Sequence, residues 1–146
     1  MNVGTITLLV FITVLLGYAI ALYNGLVTLK HNVRRAWANI DVLLKQRHDE
    51  LPKLVEICRQ YMLHEQQTLQ EVTAARAAVF GANQRHDVAA VGMGEASLRK
   101  SLGQLYAVAE AYPDLKADKQ FKHLRERITT LENTIADRRE YYNESV

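Results

Sequence analysis

Residues 3–22 form an unbroken run of twenty positions without a charge, rich in Leu, Ile and Val, and the first charged side chain of the chain is Lys30. At about 1.5 Å of rise per residue, a helix of that length covers about 30 Å, the thickness of a bilayer's hydrocarbon layer. Backbone polar groups find no water there and have to bond within the segment, so the run is predicted to be helical. Residues 1–23 therefore read as a transmembrane anchor. The remaining 24–146 have room for one helical core and not for two.

Ala19-Ile20-Ala21 fits the small-x-small pattern of a signal-peptidase site. The leading Met1-Asn2-Val3-Gly4-Thr5 carries no Lys or Arg, however, and the apolar run exceeds the usual core of a secretory signal, so an uncleaved anchor is expected. Lys30, Arg34, Arg35, Lys45 and Arg47 all follow the span and none precedes it. By the positive-inside rule this bias favours a cytoplasmic domain.

Beyond the span, Leu26, Leu29, Val33, Ala36, Ile40 and Leu43 recur at alternating steps of three and four, the spacing of one helix face. The membrane helix is thus predicted to run outward as a rod over about 24–47. A second helix is expected over 49–80, capped by Asp49 with Pro52 in its first turn and a face of Leu51, Leu54, Cys58, Tyr61, Glu65, Thr68, Val72, Ala75 and Val79. Gly81, Gly92 and Gly94 mark 81–94 as a loop. A third helix is expected over 95–112, ending at Pro113, and a fourth over 118–145, capped by Asp118. The predicted fold class is all-α: a transmembrane helix continuing into an antiparallel four-helix bundle with coiled-coil-like packing.

Composition narrows the function classes. The net charge of +2 is small and the charges of both signs are interspersed, which argues against a nucleic-acid partner. The single cysteine, Cys58, excludes a disulfide within the chain and reads as a buried, inert thiol on the helix seam.

Several stretches resemble the LemA family of bacterial membrane proteins. They are Tyr23-Asn24-Gly25-Leu26-Val27-Thr28-Leu29-Lys30, Val33-Arg34-Arg35-Ala36-Trp37-Ala38-Asn39-Ile40-Asp41, Leu51-Pro52-Lys53-Leu54-Val55-Glu56, His64-Glu65, Ala75-Arg76-Ala77-Ala78, Glu110-Ala111-Tyr112-Pro113-Asp114-Leu115-Lys116-Ala117 and Tyr142-Asn143. The resemblance implies an N-terminal anchor in the bacterial inner membrane followed by a four-helix bundle, with no established catalytic activity or cofactor. Members of that family usually continue past the Tyr142-Asn143 region into a further apolar helical segment, which these 146 residues do not include.

Enzyme signatures are weak. His64-Glu65-Gln66-Gln67-Thr68 opens like a zinc-protease helix, but Thr68 stands where the second imidazole is required. No histidine follows a glutamate by three residues, as a di-iron bundle demands. Gly92-Met93-Gly94 lacks the third glycine and the preceding strand of a dinucleotide site. No catalytic, cofactor-binding or metal residue is assigned.

What remains is a set of polar residues on or near apolar faces: Glu65, Arg76, Glu110, Glu132, Arg138 and Asn143. They either fix helix register within one bundle, reach solvent at its edge, or pair between subunits. Gly17 and Ala21 form a small-xxx-small pair through which neighbouring spans can approach. The expected function is a non-enzymatic, single-pass scaffold whose partners are the bilayer and further copies of itself. The alternative is a monomeric adaptor for another envelope protein, such as a protease or a stress-response component.

Overall fold

The computed structural model describes residues 2–145. Its helices are α1 (Val3–Tyr61), α2 (Gln66–Gln84), α3 (Val88–Ala109), α4 (Pro113–Ala117) and α5 (Lys119–Ser145), with no strand among the described residues. α1 packs along α5 and α2, and α2 along α3. Tyr61 meets Asp118 at one end of the bundle, and the Trp37 and Tyr142 rings meet at the other with centroids 5.3 Å apart. α1 and α5 are therefore antiparallel, as the sequence predicts.

α1 is one rod of 59 residues, or about 88 Å at the usual helical rise. Its apolar N-terminal window is long enough to cross a membrane, and none of that window is buried against the rest of the chain. Burial begins at Ala36. From there α1 contributes Ile40, Leu44, Leu51, Leu54 and Cys58 to a core completed by residues such as Val72, Leu102, Phe121 and Ile128. The predicted stripe is accordingly split. Ala36 and Ile40 are buried, whereas Leu26 and Leu29, on the same face, are 66% and 52% exposed.

The break expected between residues 47 and 49 does not occur. α1 continues through Asp49, which caps nothing, and carries Pro52 in its interior. Proline has no N–H to give to the carbonyl four residues earlier, which here is His48. Arg76 on α2 supplies the missing donor: its Nε bonds the His48 carbonyl at 2.9 Å, and its Nη2 lies 2.8 Å from His48 Nε2. A side chain from a neighbouring helix thus takes the place of a backbone bond that the sequence forbids.

The first turn comes instead over residues 62–65, inside the predicted second helix. No glycine or proline marks it. Met62 leaves helical geometry and is buried at the end of the core, while Tyr61 donates to Asp118 Oδ2 at 2.9 Å and Tyr112 donates to Glu65 Oε1 at 3.4 Å. Contacts to the α3–α5 connection therefore hold this end of the bundle together.

The loop expected over 81–94 shrinks to Arg85, His86 and Asp87, and the third helix starts at Val88 rather than 95. His86 N–H bonds the Asn83 carbonyl and Asp87 N–H the Ala82 carbonyl, a Schellman closure with His86 at φ 54°. Asp87 then caps α3 by accepting from Ala90 N at 2.9 Å. Gly94 belongs to α3 and lets it approach α2, since a Cβ there would lie 3.0 Å from Val79 Cγ2 and 3.3 Å from the Val79 backbone. All three glycines that the sequence marks as loop formers thus lie within helices, Gly81 in α2 and Gly92 and Gly94 in α3. The third helix ends at Ala109, short of the predicted Tyr112, and α4 is an additional single turn opened by Pro113. Asp118 does cap α5, its Oδ1 accepting from Gln120 N at 2.8 Å and Phe121 N at 3.0 Å.

These observations lead to two stability predictions. Arg76→Met lowers the midpoint of urea unfolding, and the loss shrinks in a Pro52→Ala background, where the backbone can satisfy the His48 carbonyl itself; a double-mutant cycle reads the coupling, expected at about 1 kcal/mol. His86→Gly removes the Cβ from a left-handed position and raises stability by about 1 kcal/mol in the same assay.

Candidate functional site

The helix stripe that supplies Ile40, Leu44, Leu51 and Leu54 places residue 47 at the centre of the bundle, and residue 47 is an arginine. Its side chain is 2% exposed and pairs with Glu95 on α3, itself 8% exposed. Glu132 on α5 and Arg99 on α3 complete the network, for both Arg47 and Arg99 act electrostatically on the Glu132 carboxylate. A charge removed from water is costly unless paired, so the buried Arg47 and Glu95 depend on each other, with the half-buried Glu132 beside them and Arg99 exposed at the edge. Arg47 Nε and Glu132 Oε1 remain buried without a hydrogen-bond partner among the described residues.

Burial pushes the Glu132 carboxyl above its ordinary range; Arg47 and Arg99 oppose the shift and the nearby Glu95 adds to it. Nearer the membrane-distal end, Glu50 is bound by Arg127 at 3.0 Å and Lys53 at 3.4 Å, which joins α1 to α5 a second time. Tyr106 lies under the Arg125 guanidinium, 4.8 Å from ring centroid to Cζ, and burial raises its phenol well above the usual value. His48 stacks on Phe80 with centroids 4.3 Å apart; burial and the adjacent Arg76 charge lower its pKa.

No cluster of three or more metal-ligating side chains exists among the described residues. The Cys58 thiol is fully buried, and desolvation pushes it up to about 12, which leaves it without nucleophilic character at neutral pH. Several polar groups of the bundle bond one another across helices. These bonds set which helices adjoin and in what register.

The profile of the LemA family matches residues 36–146, more than half of the chain. The chain belongs to the LemA family. Its matched region opens at Ala36, the first buried residue of α1, so the family pattern coincides with the part of the rod that packs into the bundle. A similar protein is the magnetosome protein MamQ of Magnetospirillum gryphiswaldense, 23% identical over 166 residues, an alignment that takes in 98% of this chain and 60% of MamQ. The chain thus spans well under two thirds of that relative's length. With its apolar N-terminal helix, this LemA-family chain is a membrane-associated helical protein.

The six polar residues singled out in the sequence are dispersed over the LemA-family bundle. Glu132 joins the buried network, and Arg76 serves the His48 carbonyl. Glu65 receives Tyr112 at the distal end. Glu110 is a surface residue held by Lys116 at 2.5 Å and Arg125 at 3.8 Å, and the Lys116 hydrogen bond keeps its carboxyl below the usual range. Arg138 and Asn143 are exposed on α5. Gly17 lies on the exposed span with nothing within 4 Å of a Cβ placed on it, and Ala21 is exposed one turn later.

Sequence reasoning missed the buried ion pair of Arg47 and Glu95. Both had a signal. Arg47 falls three residues after Leu44 and four before Leu51, and Glu95 falls three before Leu98, so each occupies an apolar-stripe position. By sequence Arg47 reads only as charge flanking the span, and Glu95 stands at the first position of the predicted third helix.

The raised Glu132 pKa means that its folded state favours the protonated form. That contribution is fully present below the unfolded pKa of about 4.3 and is lost as pH rises through the higher folded value. Glu132→Gln, neutral throughout, is therefore expected to match the native chain near pH 4 and to unfold at a higher temperature at pH 7, measured by circular dichroism in detergent.

Proposed function

We propose that this protein is a non-enzymatic, single-pass scaffold of the bacterial inner membrane that assembles with copies of itself, with the bundle on the cytoplasmic side. The observation that carries the proposal is the uncovered first part of α1: from residue 2 to residue 35 no side chain is buried, and only Val27 and Val33 are even partly covered. A long helix that shields so little of itself is built to be covered by lipid and by neighbours.

Geometry supports association through the span. At about 100° per residue, Gly17 and Ala21 lie about 100° around the helix from the face that Ala36 and Ile40 bury. Two spans meeting at Gly17 and Ala21 therefore hold their bundles clear of each other. The Lys and Arg that follow the span support the cytoplasmic placement.

A specific feature favours the adaptor alternative. Met62, Leu63, Leu69, Ala74 and Ala77 line an open, mainly apolar groove of about 610 Å³ at the distal end of the bundle, and Leu63 is 70% exposed there. Native mass spectrometry of the full chain extracted in mild detergent separates the two. The scaffold gives a multiple of 16.6 kDa that falls toward one chain in Gly17→Leu/Ala21→Leu, whereas a single chain, or one foreign protein in equal amount, overturns it.

A further inference from the structure

Between the lipid and the bundle, α1 carries Lys30, His31, Arg34 and Arg35, all exposed. None of Lys30, Arg34 and Arg35 forms an ion pair among the described residues, whose salt bridges all involve residues from 47 onward. No Asp or Glu precedes Asp41 in the chain. Asp41 is engaged by Asn83 at 2.5 Å. This stretch of helix is thus an uncompensated cationic surface, unlike the rest of the protein, where both signs are mixed.

The four residues also share one side of the helix. At about 100° per residue they span an arc of about 140°, while Val33, Ala36, Ile40 and Leu44 occupy the arc about 150° away. The bundle packs mainly on the second arc; the first carboxylate on the basic side, Asp41, lies about two turns beyond Arg34, lines a pocket with it and is bonded by Asn83. Spans tilt by about 20° on average, which lets the rod lean toward its basic side.

Depth matches charge. If residues 3–22 fill the hydrocarbon, the Lys30 backbone stands about 12 Å beyond it, just outside a headgroup layer of about 5–7 Å and within reach of its own side chain. Arg34 and Arg35 stand a further 6–8 Å out, about 11–15 Å beyond the headgroup layer along the backbone, and their side chains, tilted toward the helix N-terminus, carry the charge back toward one Debye length of about 8–10 Å. Lys45 lies on the same side but more than 30 Å from the hydrocarbon by the same arithmetic, beyond any contact.

We propose that Lys30, Arg34 and Arg35 form a docking face for anionic phospholipid headgroups, which recruits acidic lipid around the emerging rod and sets its lean. The face acts as a row of point charges. Basic side chains at a membrane surface contribute about 1 kcal/mol each, or about fivefold in lipid affinity.

The test is titration of the full-length protein in mild detergent with phosphatidylglycerol or phosphatidylcholine, with lipid-bound forms resolved by native mass spectrometry. Phosphatidylglycerol is expected to bind at least tenfold more tightly, with the preference weakening in high salt. Lys30→Gln/Arg34→Gln/Arg35→Gln is expected to abolish the preference. Lys45→Gln/Lys119→Gln/Lys122→Gln, which removes the same charge beyond reach of the headgroups, is expected to keep it. Equal binding of the two lipids by the native chain, an undiminished preference in the first variant, or an equal loss in both overturns the proposal. So does a preference of the same surface for a short oligonucleotide over phosphatidylglycerol. Because each lipid count is taken on a resolved protein mass, the outcome is independent of whether the chain self-associates.

Discussion

One helix serves two solvents, and the rest of the protein is arranged around that constraint. In hydrocarbon α1 has to satisfy its own backbone, and it does so with an apolar surface that needs no protein neighbour. Past Ala36 the same helix forms the long wall of a water-soluble bundle, where its apolar stripe is covered by α5 and α2. The bundle therefore cannot turn independently of the apolar N-terminal part without a break in α1.

Keeping α1 intact over 59 residues requires help at Pro52. The guanidinium of Arg76 is suited to the task because its planar fork reaches the His48 carbonyl and ring together. This ties α2 to the middle of α1, while Arg47, Glu95, Arg99 and Glu132 tie α1, α3 and α5. Asp41, Arg47, His48, Arg76 and Asn83 line one pocket of about 240 Å³ between α1 and α2, while Glu50 and Glu65 are bonded farther along the rod. Uneven charge on the outside completes the picture, with an uncompensated basic stretch at the membrane and mixed charge beyond it.

Much of the fold was legible because it depends on short-range periodicity. The apolar run, the stripe from Ala36 onward and the Asp118 cap each involve residues within a turn or two of one another, and all appear in the structure. The errors share a cause. Asp49-Glu50-Leu51-Pro52 has the local form of a helix start, and only a partner on another helix makes it a helix interior. Gly92 and Gly94 look like loop residues until α2 is packed against Gly94 and Arg139 against Gly92. Met62-Leu63-His64-Glu65 looks helical, and the turn there follows from Met62 entering the core and from Tyr61 and Glu65 reaching the α3–α5 connection.

By itself, then, the order of residues determined that the chain has an apolar N-terminal helix fit to cross a bilayer, that its remainder is all-α, and that it belongs with LemA-like chains. These properties follow from composition and from repeats of three and four, which act locally. Where α1 ends, which charges are buried together, and which side of the rod is left bare were decided only by tertiary structure. Each depends on side chains far apart in sequence sharing one low-dielectric space, where a missing N–H or an unpaired charge is too costly to leave uncompensated.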